Sequence, residues 1–480
     1  MKSGRLTAYG FLLSVFASLC VCVMGFITLP RVSHADFSFT EVSPAGWQEA
    51  EVYDINNSGV VAGSGRDGNN DLRGFVYEAG LYRIIIPPGW KESRVHGIND
   101  SGTVAGSGLD NEYKGFLYRA GNYMDVLPPG WREAYAYCIN NKGSVVGYGR
   151  RTRTYEGFLY SNGTYKEIIP PGWIEAYAHG INNMGVVSGY GRNENNEQRG
   201  FLYMDGAYTI ILPPNWLESK ALDINDSGDV VGTGLDMDNK PKSFIYKKGV
   251  YTEILPPDWK TAAAAGINNM GYIVGSGGYK GGDIFGFLYD SASYIVLLPS
   301  GWQWSSTNAV NDSGVAAGSG YHLSIKKGFI ARGIPDISID PLVIFFGGNV
   351  LSGKLPDRTV TIKNRGNGLL VIEKITVPHS PFRVITDNCS GRRLASSETC
   401  AIIYGVAPVS GKTMASASDI LSNHPVKNKV TVTLGVFPDN DGDGYTMDVD
   451  CNDNDPLINP GAAEIPGNNH DDDCDPVTGD

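Results

Sequence analysis

Tryptophan returns along this chain at a nearly fixed interval: Trp47, Trp90, Trp131, Trp173, Trp216, Trp259 and Trp302 are separated by 43, 41, 42, 43, 43 and 43 residues. Each opens the same unit. The Trp, usually after a proline pair as in PPGW at 87–90, leads into a strand ending in Ile-Asn or Val-Asn. A tight turn follows, such as NNSG at 56–59 or NDSG at 311–314. Asn and Asp suit its early positions, and the closing Gly can take the left-handed conformation of a bulged hairpin. Next come a short apolar strand (VVSGYG at 186–191), a polar loop, a strand of the GFLY type, a Gly turn and a final strand (YTIIL at 208–212). Four short strands in about 43 residues is the arithmetic of a propeller blade, because each sheet can bury its faces only against its neighbours.

The two ends of the repeat region favour a closed ring over an open array. FSFTEV at 37–42 aligns with the final strand of a unit yet precedes the first unit, and the last unit stops after GFIA at 328–331 without that strand. One terminus supplies what the other lacks, so the pattern predicts a seven-bladed β-propeller whose first and last strands share a sheet and leave no edge exposed there. The units, with GINN-x-G followed by GFLY, resemble the HAF repeats of bacterial extracellular proteins over residues 37–331. That resemblance implies location and fold and leaves the ligand unspecified.

Four segments are expected: a signal at 1–35, the propeller at 36–333, a β-sandwich at 334–437 and an acidic module at 438–480. The first carries Lys2 and Arg5, an apolar run from Tyr9 to Leu29 and a small-residue site at Ser33-His34-Ala35, the layout of a secretory signal. An uncleaved anchor is the alternative. Once the signal is removed, no membrane span is expected. In the third segment RTVTIKNRGNGLLVIEKI at 358–375, FRVI at 382–385, CAIIYGVAP at 400–408 and KVTVTLGV at 429–436 read as short alternating strands of a sandwich. TIKNRGNGLLVIEKI with FRVITDNC and SSETCAIIYGVAP resembles the immunoglobulin-like domains of the ASPM, SPD-2 and Hydin type, including the choice-of-anchor D group, which implies a spacer or binding module. Seven cysteines include Cys20 and Cys22 in the signal; the spacing of the rest predicts disulfides Cys389–Cys400 and Cys451–Cys474 and leaves Cys138 over.

The acidity is concentrated at the end. Residues 439–480 hold 13 Asp and Glu and no Lys or Arg, against a whole-chain charge of -12, so the body is near neutral. With no basic stripe, no nucleic-acid partner is expected. DNDGDGYTMDVD at 439–450 places Asp439, Asp441, Asp443, the Tyr445 carbonyl and Asp450 at the first, third, fifth, seventh and twelfth positions of an EF-hand-like loop, with Gly444 at the sixth. Asp450 stands where the usual Glu would chelate with both oxygens. The continuation, DCNDNDPLINPGAAEIPGNNHDDDC at 450–474, resembles the metal-binding motif of MopE-type secreted proteins, in which Asp453, Asp455, Glu464, Asp471, Asp472 and Asp473 would supply a second site. All-oxygen ligands favour calcium. Copper, named for one branch of that family, prefers imidazole and sulfur, and only His470 and Met447 offer them.

In the propeller, Glu49, Glu92, Glu133, Glu175 and Glu218 each lie two residues after a Trp and would ring one mouth of the channel. Tyr135 and Tyr177 at the fourth position, and Tyr53, His96, Tyr137 and His179 at the sixth, vary among repeats, as residues of a specialised binding surface do. No nucleophile elbow, P-loop, zincin or dinucleotide motif appears, and no catalytic or organic-cofactor residue is assigned. The expectation is therefore a non-catalytic protein, secreted, extracellular or on the cell surface, with the periplasm as alternative. Its propeller would recognise a carbohydrate, matrix or protein partner. A propeller hydrolase or lyase, and a structural surface component, are the competing readings.

Overall fold

The computed structural model describes residues 37–279, 282–291, 293–347, 355–407, 413–468 and 470–477; the export signal expected at 1–35 lies outside them. The described residues contain β-strands and turns and no helix, so none is long and apolar enough to cross a membrane.

Each repeat forms an antiparallel sheet of four strands in chain order, as in Glu133–Ile139, Val145–Arg150, Glu156–Ser161 and Thr164–Ile168. The exception carries the closure. Phe37–Val42 pairs with Ile325–Gly333, beside Ala316–His322 and Trp302–Val310, with Phe37 opposite Gly333 and Val42 opposite Gly328. The chain's first described strand thus completes its last repeat sheet. Neighbouring sheets share their cores: Ala62 and Val76 of one repeat pack with Val95, Val104 and Phe116 of the next, and Ala317 and Ile330 of the last pack with Ala50, Val52 and Phe75 of the first. This is the propeller architecture.

Three repeated devices hold the sheets together. The Trp stands edge-on to the buried Phe of its own GFLY strand, from Trp47–Phe75 (5.6 Å, 86°) to Trp302–Phe329 (5.8 Å, 86°), the geometry that aromatic quadrupoles favour. A Tyr hydroxyl in the outer strand accepts a backbone N–H from the preceding repeat, as in Ser43 N to Tyr82 Oη (2.8 Å). The Asn that opens each turn does most. Its Oδ1 caps its own turn, and its Nδ2 donates to the carbonyl of the next Asn, running Asn56 to Asn99, Asn140, Asn182, Asn225, Asn268 and Asn311. Asn311 Nδ2 then returns to the Asn56 carbonyl at 3.0 Å. A second cycle lies outside it: the amide N–H of each following residue (Asn57, Asp100, Asn141, Asn183, Asp226, Asn269, Asp312) donates to the side-chain oxygen of its neighbour, and Asp312 closes onto Asn57 at 2.8 Å.

Beyond the repeats, two sheets share one core. Ile337–Asp340, Arg358–Asn364, Thr399–Val406 and Phe382–Asp387 form one; Val343–Phe346, Lys429–Val436, Met414–Ser422, Leu370–Ile375 and Arg393–Leu394 form the other. Val360, Ile362, Tyr404, Ile372, Val432 and Leu434 meet between them. The buried Tyr404 hydroxyl donates to Ser418 Oγ (2.8 Å), which in turn donates to the Thr376 carbonyl (2.7 Å). Cys389 and Cys400 are joined, as are Cys451 and Cys474, while Cys138 is free.

Candidate functional site

Among its described residues the acidic module forms no regular strand, because its Asp, Asn and Gly residues satisfy the backbone locally. Asp439 accepts from Gly442 N (2.7 Å) and Gly444 N (3.1 Å), and Gly444 takes φ +99°, which its lack of a Cβ permits. Asp441 Oδ1 accepts from Asp443 N, Asp443 Oδ1 from Tyr445 N, and Asp450 Oδ1 from Asn452 N. One oxygen of each carboxylate is fixed in this way. The other, Oδ2 of Asp441, Asp443 and Asp450, is buried with no hydrogen-bond partner, and ligand atoms of the three residues lie within 4.8 Å of one another. Burial raises the Asp443 and Asp450 carboxyls above the ordinary range, and neighbouring carboxylates add to it, Asp441 and Asp439 for Asp443 and Asp443, Asp441 and Asp453 for Asp450. Buried, unpaired carboxylate oxygens are costly unless a cation compensates them, so the residues fit a bound metal ion.

A second group forms where the chain returns. Glu464 Oε1 accepts from Asp472 N (2.8 Å) and Asp473 N (3.1 Å), leaving Glu464 Oε2 and Asp471 Oδ1 buried and unpartnered beside Asp473. The remaining acids divide differently from the sequence grouping. Asp453 receives Asn440 N and Nδ2 and groups with Asp439 and Asp441 of the first cluster. Asp472 Oδ2 is occupied by Ile465 N and Asn468 Nδ2, and Asp455 caps Leu457 N; neither belongs to a convergent group among the described residues. The Cys451–Cys474 bond ties Asp450 of one cluster to the Asp471–Asp473 run of the other.

At the Trp end of the channel the repeat glutamates are mostly engaged. Glu49 pairs with Arg66 (3.3 Å), Glu133 with Arg150 (2.7 Å) and Glu175 with Arg192 (3.2 Å), while Glu218 receives Gln198 Nε2 at 3.4 Å. The aromatic positions meet in two tiers. Tyr53, His96, Tyr137 and His179 follow one another at centroid distances of 6.0, 5.2 and 4.3 Å, and Tyr135, Tyr148, Tyr177 and Tyr190 form a second row. Burial pulls both His96 and His179 down to about 4, so both are neutral at physiological pH. His96 Nε2 bonds Ser107 Oγ, and His179 Nδ1 bonds the Leu222 carbonyl. Tyr148 and Tyr190, absent from the sequence assignment, sit on second strands, and Tyr155, also absent, directly precedes a third; the signal for the first two was GYG in two repeats where the others have GSG or GTG.

Further along the channel, register shifts expose a different set. Asp54 accepts from Ile55 N and from Ile98 N of the next repeat, and Asp223 from Ile224 N and Ile267 N. Burial outweighs these bonds and raises Asp54 to about 6 and Asp223 to about 7. Both values exceed the ~3.9 of an unfolded Asp. Stability from these groups is therefore fully present below about pH 4 and is lost as pH rises toward 7. Three repeats carry Gly here (Gly97, Gly180, Gly266), so Asp223→Gly is a compatible change. Its stability relative to the parent, read as urea midpoints, should rise between pH 4.5 and 7.5; a gap independent of pH would contradict the shifted Asp223.

Residues 450–480 match the family model Cu-binding MopE, described as "Putative metal-binding motif". No curated protein matches the chain. Among solved structures, it is similar to the β-propeller domain of the Trilobed protease from Pyrococcus furiosus (13% identity, TM-score 0.42, 60% of this chain and 94% of that one). It is also similar to Pyrococcus horikoshii acylaminoacyl peptidase (12%, 0.44, 66% and 58%) and to the BP39L lectin from Burkholderia pseudomallei (11%, 0.37, 58% and 98%). The chain spans little more than half of the peptidase's length. At such identities the likeness is one of fold alone. The expectation of a non-catalytic protein is corrected here: propellers similar to this chain include peptidases as well as a lectin, so missing motifs do not exclude catalysis.

Proposed function

We propose that this is an exported, calcium-binding modular protein whose propeller mouth recognises an extracellular partner. In this reading residues 1–35 are the signal and 36–333 a seven-bladed propeller of HAF repeats. An immunoglobulin-like sandwich of the choice-of-anchor D type follows at 334–437, and 438–480 is the metal module. The single supporting observation is the set of buried, unpartnered carboxylate oxygens on Asp441, Asp443 and Asp450. Hard oxygen ligands at this spacing favour Ca²⁺. Copper would need the imidazole and sulfur that only His470 and Met447 offer nearby, and Met447 Sδ lies within bonding distance of Thr413 Oγ1 (3.7 Å). For the propeller, the support is the contrast between a tyrosine-rich half of the mouth and small residues such as Ala263, Ala265 and Ser306 across it. Closed cycles of turn hydrogen bonds at the other end of the same innermost strands hold together the ring that carries this mouth.

Native mass spectrometry of chain stripped with chelator and returned to calcium tests the metal reading. Two ions per chain are expected, one for each cluster. A single ion would remove the Glu464, Asp471 and Asp473 group from the account, and none would remove calcium.

A further inference from the structure

The Glu–Arg pairing of the repeats is missing at two places in the propeller mouth, opposite Glu92 and Glu218. Where Glu49, Glu133 and Glu175 are held by Arg66, Arg150 and Arg192 near the end of the second strand, the repeats beginning at Trp90 and Trp216 carry Leu109 and Leu235 instead, and in the latter Gln198 reaches Glu218. Among the described residues Glu92 then has no basic partner and accepts one long bond, from Tyr113 Oη at 3.4 Å. The same strand exposes Arg94, which has no ion pair or hydrogen bond among the described residues. Both line a cavity of about 300 Å³ whose wall is three stacked phenol rings: Tyr113–Tyr135 at 5.7 Å and 28°, and Tyr135–Tyr148 at 5.2 Å and 27°. A departure from the repeat that frees one carboxylate and one guanidinium toward an aromatic-walled cavity is what specialising a single blade junction for a ligand would produce.

We infer that this cavity is a saccharide site for a neutral, hexose-sized unit, an assignment that rests on the mouth being the recognition surface. The charges select the class. Glu92 needs a donor and Arg94 an acceptor, and ring hydroxyls are both at once, with charge-assisted hydrogen bonds to each group. Glu92 and Arg94 cancel, so a uronate or an ammonium ligand gains no net attraction. A polyproline segment presents carbonyl acceptors to Arg94 but no N–H to Glu92, and an aliphatic ligand would bury both charges unpaired. The C–H face of a sugar ring packs against the tyrosine wall while its rim reaches the charges.

The test is titration calorimetry of the full mature chain in calcium with neutral tetrasaccharides (cello-, xylo-, manno-, malto- and chito-series), tetragalacturonate and an octaproline peptide. At least one neutral tetrasaccharide should bind. Tyr135→Ala, Arg94→Ala and the isosteric Glu92→Gln should each weaken it about tenfold or more, with unchanged tryptophan-detected unfolding and no effect of the distant Lys240→Ala. Binding that survives all three substitutions, or no neutral sugar bound, overturns the site. With no neutral sugar bound, tetragalacturonate or octaproline bound and lost with Tyr135→Ala keeps the mouth as a recognition surface and overturns the neutral-sugar assignment, octaproline the saccharide class as well.

Discussion

Asp450→Asn should weaken calcium binding at the first cluster by about 30-fold or more, about 2 kcal/mol, while making the metal-free module more stable. The two effects have one cause. Asp450 is buried, its Oδ1 is occupied by Asn452 N, and its Oδ2 has no hydrogen-bond partner in a group where the carboxylates of Asp441 and Asp443 lie within 4.8 Å. Without a cation that arrangement is repulsive, and burial together with the neighbouring carboxylates already raises the Asp450 carboxyl. Asn keeps the shape and the Oδ1 bond and removes one charge, so the apo form gains and the bound form loses an anionic ligand. Chelator and calcium should therefore move the module's melting temperature less in the variant than in the parent, from a higher starting point. A residue that served only as a turn cap would give a lower starting point and an unchanged calcium increment.

Asn311→Ala should destabilise the propeller by about 3 kcal/mol, read as the denaturant midpoint of tryptophan fluorescence. All eight tryptophans lie in the repeats, so the probe is blind to the following modules. Asn311 is 5% exposed, and Ala would lose its Oδ1 bonds from Ser313 N and Val315 N and its Nδ2 bond to the Asn56 carbonyl. The comparison with Asn182→Ala gives the loss its meaning. Asn182 makes the same three bonds in mid-chain, to Met184 N, Val186 N and the Asn225 carbonyl. In a closed ring the two substitutions cost the same; in an open array Asn311 would lack its partner across the closure and would cost less.

The sequence carried the architecture because it is written in period. Tryptophan spacing, the NNSG and NDSG turns and the displaced FSFTEV strand specify four-stranded units and the place where the ends meet. What was not legible was who bonds to whom. The turn asparagines read as local turn formers, yet the same side chain also reaches the next sheet, which requires knowing how close adjacent turns stand. The glutamates after five of the tryptophans read as an open ring of charge, whereas the arginine that holds three of them lies 17 residues downstream on a neighbouring strand, visible only once that register is known. In the tail, spacing named the acidic residues but could not tell a carboxylate oxygen taken by a backbone N–H, as in Asp472, from one left facing its neighbours, as in Asp471.

Calorimetric titration of metal-stripped chain 36–480 with Ca²⁺ and, separately, Cu²⁺, beside a chain ending at 437, tests most directly whether the tail is a calcium module. Saturable Ca²⁺ binding that vanishes with the tail, and weaker Cu²⁺ binding, is the predicted result. Calcium binding that persists without residues 438–480, or a preference for Cu²⁺, would contradict it.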